Sequence, residues 1–151
     1  MEFSNLVNMA NAAIKSNKIN EAIKLFNDAL KLNPKSYEVC SKLGLLSFQA
    51  GDLDNSINYF KRTLLLDSKS SLAYSNLGLV YSKLNNQDLA YENYLKAYEI
   101  DPKNFIVNYN LANHFFSNND DKNAEKYYQL SIDINPQHFY PYNNLFQLYD
   151  R

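Results

Sequence analysis

The chain is 151 residues long, and its apolar content of 46% with 15% aromatics is enough for a continuous core. Only three Gly and four Pro leave little material for sheet turns, which favours an all-helical fold. A net charge of -1 excludes a global attraction to nucleic acid or anionic membrane, and the single cysteine, Cys40, excludes an internal disulfide.

Apolar periodicity predicts helices near Phe3 to Ser16, Asn20 to Leu32, Tyr37 to Ala50 and Leu53 to Leu66. Further helices are predicted near Ser71 to Leu84, Gln87 to Ile100, Phe105 to Asn118 and Asp121 to Ile134, and a ninth starts near Phe139. Stops stand at Asn33-Pro34, Asp101-Pro102 and Asn135-Pro136, because proline excludes helix at the residue before it. Asn17-Lys18, Gly51-Asp52, Asn85-Asn86 and Asn119-Asp120 are short polar turns, and links this short make the two helices of a pair antiparallel. Pro141 lies in the first turn of the last helix, where a missing N–H is tolerated.

The stretch Ser71 to Asn104 is the unit from which the rest is copied at a spacing of 34 residues. Phe26, Phe60, Tyr94 and Tyr128 are equivalent, and so are Met9, Leu43, Leu77, Leu111 and Leu145. One small row runs Ala10, Gly44, Gly78, Ala112 and ends in Phe146; others run Ala22, Ser56, Ala90, Ala124 and Ala29, Thr63, Ala97, Ser131. Small residues let paired helices approach while the aromatic rows fill the wider gaps. Cys40 occupies the row of Tyr74 and reads as a buried thiol.

Tyr74, Leu77, Gly78, Tyr81, Ala90, Tyr94 and Pro102 fall at the spacing of the tetratricopeptide repeat, which the whole chain resembles, with Tyr standing for the usual Trp and Phe. The resemblance implies an all-α, right-handed α-solenoid: one domain over 1–151, with repeats 3–36, 37–70, 71–104 and 105–138 and an extra helix over 139–151. It also implies a protein-interaction module that binds a protein or peptide ligand in the concave groove of the first helices.

At 100 degrees per residue, Leu72, Asn76, Leu79 and Lys83 lie opposite the core-forming face of their helix. The corresponding rows are Ser4, Glu38, Leu72, Ile106, Tyr140; Asn8, Lys42, Asn76, Asn110, Asn144; and Asn11, Leu45, Leu79, Asn113, Gln147. An amide both donates and accepts, so a row of asparagines can grip an extended backbone without reading its side chains, one rung meeting about every third residue. The middle row resembles the asparagine ladder of O-linked N-acetylglucosamine transferases; Asn8, Asn76, Asn110 and Asn144 carry the resemblance and Lys42 departs from it. Leu72, Leu79, Ile106, Tyr109 and Tyr140 are further expected contacts, with Asn11 and Asn113 beside them and Lys15, Lys42, Lys83 and Arg151 as a mild basic edge. The carboxylate clamp for chaperone tails is not expected, because its places hold Val7, Asn11, Lys42, Leu72 and Asn76, too few bases to pair a carboxylate.

No metal-ligand spacing, phosphate loop or nucleophile motif is present, so neither an enzyme nor a cofactor is expected. Asp120-Asp121 reads as a helix cap. The start lacks a signal peptide and no apolar run approaches the ~18 residues of a membrane span; the expectation is a cytoplasmic chain with no membrane partner. Tyr142, Leu145, Phe146, Leu148 and Tyr149 make the last helix apolar over much of its circumference. It reads either as a makeshift cap in which Phe146 fills the place of a missing helix, or as the mark of a piece excised from a larger transferase; its apolar surface also offers a route to self-association.

Overall fold

The computed structural model describes residues 2–150, and among them it contains nine helices and no strand. They are α1 (Phe3–Lys15), α2 (Ile19–Leu32), α3 (Tyr37–Gln49), α4 (Leu53–Leu66), α5 (Ser71–Lys83), α6 (Gln87–Ile100), α7 (Phe105–Ser117), α8 (Asp121–Ile134) and α9 (Tyr140–Tyr149). The chain groups into two compact units, residues 2–69 with α1 to α4 and residues 70–150 with α5 to α9.

Each helical pair turns on one left-handed residue. Asn17, Asn85 and Asn119 have φ of 56°, 59° and 58°, and Gly51, at the same place in its repeat, has φ of 81°. Asparagine tolerates this conformation better than most residues, and glycine adopts it without strain. The turn then closes twice: Asn86 N–H donates to the Tyr81 carbonyl at 2.9 Å and Asn85 N–H to Ser82 at 3.0 Å, with the same pair of bonds after α1, α3 and α7. The next residue caps the following helix, since Asp52, Asn86 and Asp120 accept from the N–H groups of Asn55, Leu89 and Asn123. Asp120 is thus a cap, as its sequence position suggests, and its hydrogen bonds from Asn123 hold its carboxyl below the usual carboxylate range.

Lys18 holds the capping place of α2 with the same backbone conformation but no side-chain bond. Its contact with Glu21, 3.3 Å between two largely exposed side chains, contributes little. Lys18→Asp is therefore expected to stabilise the chain by about 1 kcal/mol, the usual value of an N-cap. Urea unfolding checks this: an unchanged midpoint would show that α2 gains nothing from a cap.

The small rows work by close approach. A Cβ on Gly44 would lie 2.7 Å from the Phe60 ring, and one on Gly78 would lie 2.6 Å from the Tyr94 ring. The Ser56 hydroxyl donates to the Gly44 carbonyl at 2.8 Å, tying α4 to α3. Thr63 and Ser131 are buried, with their hydroxyls turned back to the carbonyls of Tyr59 and Tyr127 one helical turn earlier. In the first unit Ala10, Ala13, Ala22, Phe26, Leu43 and Cys40 share one core. Burial pushes the Cys40 thiol up, so it stays protonated and inert, as its row predicts. In the second unit Ala90, Tyr94, Leu111, Ala112, Tyr128 and Leu145 share another.

Helix α9 adds Leu145 and Leu148 to that second core and takes Pro141 in its first turn. Phe146, on the same helix, is 69% exposed. In the second and third repeats the corresponding residues, Gly44 and Gly78, face the second helix of their own pair, and α9 has no such helix among the described residues. No helix among the described residues is long and apolar enough to cross a membrane.

Candidate functional site

In the second unit the first helices of the pairs are α5 and α7, with α9 in the next place. Their sequences are almost free of charge. Neither α7 nor α9 contains Asp, Glu, Lys or Arg, and α5 has only Lys83, its last residue. The second helices differ, with Asp88, Glu92, Lys96 and Glu99 on α6 and five charged residues on α8. An apolar group covering the first helices of this unit would therefore desolvate almost no charge, and one covering the second helices would desolvate several.

The outer row places Leu72, Ile106 and Tyr140 at the start of these three helices, where they are 43%, 47% and 49% exposed. Tyr140 lies beside Tyr109, with ring centroids 6.4 Å apart, and Tyr109 in turn meets Phe105 at 5.9 Å and Tyr128 at 6.2 Å. Leu79 is half-buried on the same side.

The middle row does something that its sequence alone does not show. Asn110 Nδ2 donates to Ser75 Oγ at 3.0 Å, and Asn144 Nδ2 lies 3.2 Å from Tyr109 Oη, the same place one repeat on. Asn144 also donates to Asn113 Oδ1 at 3.0 Å and sits 3.2 Å from Tyr128 Oη. In the first unit Lys42 Nζ donates to Asn11 Oδ1 at 3.0 Å, which is the bond of Asn144 to Asn113 three repeats earlier. Residues of this row therefore tie α3 back to α1 in the first unit, and α7 back to α5 and α9 back to α7 in the second. Lys42 interrupts the asparagines but performs the same tie with a longer side chain. Asn8 is exposed, and neither Asn8 nor Asn76 makes a side-chain hydrogen bond among the described residues. The carbonyl oxygens of Asn110 and Asn144 accept no bond among them either.

The expected basic edge is thinner than its sequence suggests. Lys15 and Lys83 are exposed, Lys42 is engaged by Asn11 with its ammonium 5.9 Å from the Phe26 ring centroid, and Arg151 lies outside the described residues.

His114, on α7, was not legible as part of the core. It stands where the second and third repeats have Leu46 and Val80, is 9% exposed and stacks on Tyr91 at 5.3 Å, with Tyr94 and Phe115 edge-on. Sliding the sequence by 34 residues would have found it. Burial pulls its pKa below the ordinary 6.5. The unfolded chain thus takes up protons that the folded chain refuses, and the sign follows: stability is full above pH ~6.5 and falls as pH drops below it. Urea midpoints at pH 7.5 and 5.5 are expected to differ more for wild type than for His114→Val. An equal difference in the two proteins would remove His114 as the source.

Among curated proteins no sequence matches the chain. Solved structures do match it in fold. A crystal structure of MamA protein is similar with a TM-score of 0.80 at 21% identity, over 98% of this chain and 81% of that one. MamA 41-end from Desulfovibrio magneticus RS-1 gives 0.82 at 16%, over 99% and 84%. The APC/C hetero-tetramer Cut9-Hcn1 gives 0.85 at 19%, over 98% of this chain and 30% of that one. Identities this low speak for the fold alone, an all-helical repeat solenoid. Models described as tetratricopeptide repeat match residues 7–73, 71–104 and 106–138, and with helix pairs at the same 34-residue spacing the chain belongs to the tetratricopeptide repeat family, as a protein-interaction scaffold.

Proposed function

We propose that the chain holds an extended peptide segment of a partner protein on the uncharged face of its first helices, chiefly α5, α7 and α9. One observation carries this reading: Leu72, Ile106 and Tyr140 occupy the same place in α5, α7 and α9 and stand about half exposed on a layer almost without charge. A large apolar side chain left half in water at one place is ordinary, but two aliphatic chains and an aromatic ring in register form a surface that gains from being covered. The amides of Asn76, Asn110, Asn113 and Asn144 lie beside this row, with Tyr109 and Leu79 completing it. On α1 and α3, Asn8, Asn11 and Lys42 form the corresponding polar positions of the first unit.

A peptide-array screen tests the reading. Ligands that bind wild type are expected to lose at least about tenfold in affinity to the Leu72→Asp, Ile106→Asp double variant, roughly 1.4 kcal/mol or more. Both side chains are exposed, so helicity by circular dichroism should be unchanged. If every array ligand binds the variant as well as wild type, the site lies on another face.

A further inference from the structure

We propose that the ligand of the second unit is a polyproline II segment with an uncharged, apolar residue at every third position. In this arrangement its side chains rest on Leu72, Ile106 and Tyr140, and its backbone N–H groups meet the carbonyl oxygens of Asn76, Asn110 and Asn144. The inference rests on the groove reading above and adds the conformation and period of the ligand.

The period comes from the repeat itself. The bonds of Asn110 to Ser75 and of Asn144 to Tyr109 are the same contact one repeat apart, so α5, α7 and α9 stand side by side and present equivalent faces. Packed helices lie about 8–10 Å apart. A β-strand covers that distance in about three residues at roughly 3.3 Å each, but its side chains alternate, so residues three apart point to opposite sides and every second place on the rail would go unmet. Polyproline II advances about 3.1 Å per residue with three residues per turn, which returns the same face every ~9.3 Å. The rail is apolar at all three places and the inner row is asparagine at all three, so the surface asks for one ligand face repeated without alternation.

The polarity comes from the ties. Asn144 spends its N–H donors on α7 and Asn110 spends one of its two on Ser75, while the carbonyl oxygens of both accept no bond among the described residues. The group left open at both residues is an acceptor, and it matches the backbone N–H groups that polyproline II leaves without internal partners. The absence of charge comes from α7 and α9, which hold no ionised side chain to pair with a ligand charge brought out of water.

Three fluorescein-labelled peptides of roughly nine residues, three turns of polyproline II, test this by fluorescence polarisation. The first carries Leu at every third position between Ser and Gln, the second the same composition with Leu at every second position, and the third has Glu for each Leu of the first. The first is expected to bind at least about tenfold more tightly than the other two and to lose at least about tenfold with Ile106→Asp. Equal binding of the first two, both abolished by Ile106→Asp, overturns the period-three inference and leaves the groove reading standing. Equal binding of the first and third overturns the claim that the segment is uncharged. No binding of any peptide, or binding that Ile106→Asp leaves unchanged while helicity is intact, overturns the inference together with the groove reading.

Discussion

Gly78→Val is expected to lower the stability of the second unit by about 3 kcal/mol, the upper range for overpacking a filled core. A Cβ at this position would already lie 2.6 Å from two atoms of the Tyr94 ring and 3.1 Å from the Ala90 carbonyl oxygen, and valine adds two methyl groups with little rotamer freedom. Tyr94 cannot swing away cheaply, because its ring is 2% exposed within the core of Ala90, Leu111 and Ala112. Alanine should be milder. Ala10 and Ala112 hold this place in the first and fourth repeats in the same cores as Phe26 and Tyr128, and the ~1 kcal/mol gained in helix propensity offsets part of the clash. Gly51→Asn serves as a control for glycine as such. That position needs a positive φ but has no neighbour within 4 Å, and asparagine already occupies it in the other three repeats, so the change should stay within about 0.5 kcal/mol. Urea unfolding of the three variants separates the two roles of glycine. If Gly78→Val unfolds within 0.5 kcal/mol of wild type, close approach is not what the small row provides.

The fold was legible because each of its devices is local or repeats at a fixed spacing. Proline at Pro34, Pro102 and Pro136 ends second helices, and Asn17, Gly51, Asn85 and Asn119 end first helices; the observed bounds follow these signals closely. The small and aromatic rows predicted close pairing, and Gly44 against Phe60 and Gly78 against Tyr94 are that pairing. The polar side of the first helices was legible only as a direction. A row tells which face a residue is on, and all of its members look alike. It does not tell whether an amide bonds a ligand or its neighbour, because that depends on residues one or three places from its counterpart in the preceding first helix: Ser75 for Asn110, Tyr109 and Asn113 for Asn144. Lys42 looked like a break in the pattern for the same reason, since identity of residue is not identity of contact.

Tyr128 is where the core and the polar side of the first helices are joined, and Tyr128→Ala is expected to cost about 3–5 kcal/mol, the range for emptying a large buried aromatic site. The ring is completely buried among Leu111, Ala112, Ala124 and Leu145. Its hydroxyl donates to Asn113 Oδ1 at 2.7 Å and lies 3.2 Å from Asn144 Nδ2, so one side chain of α8 holds α7 and α9 together. The two contributions can be separated. Tyr128→Phe keeps the ring and removes only the hydroxyl, which should lower stability by about 1 kcal/mol. That loss should fall on α9 first. Its remaining ties are the Asn144 bonds to Tyr109 and Asn113, the packing of Leu145 and Leu148, and exposed contacts such as that of Tyr149 with Glu125. Amide hydrogen exchange reads this directly: in Tyr128→Phe the α9 amides should exchange faster while those of α7 and α8 keep their protection, and Asn144→Ala should give the same pattern. Uniform loss of protection across α7, α8 and α9 in Tyr128→Phe would mean that the hydroxyl supports the whole unit rather than the seat of its last helix.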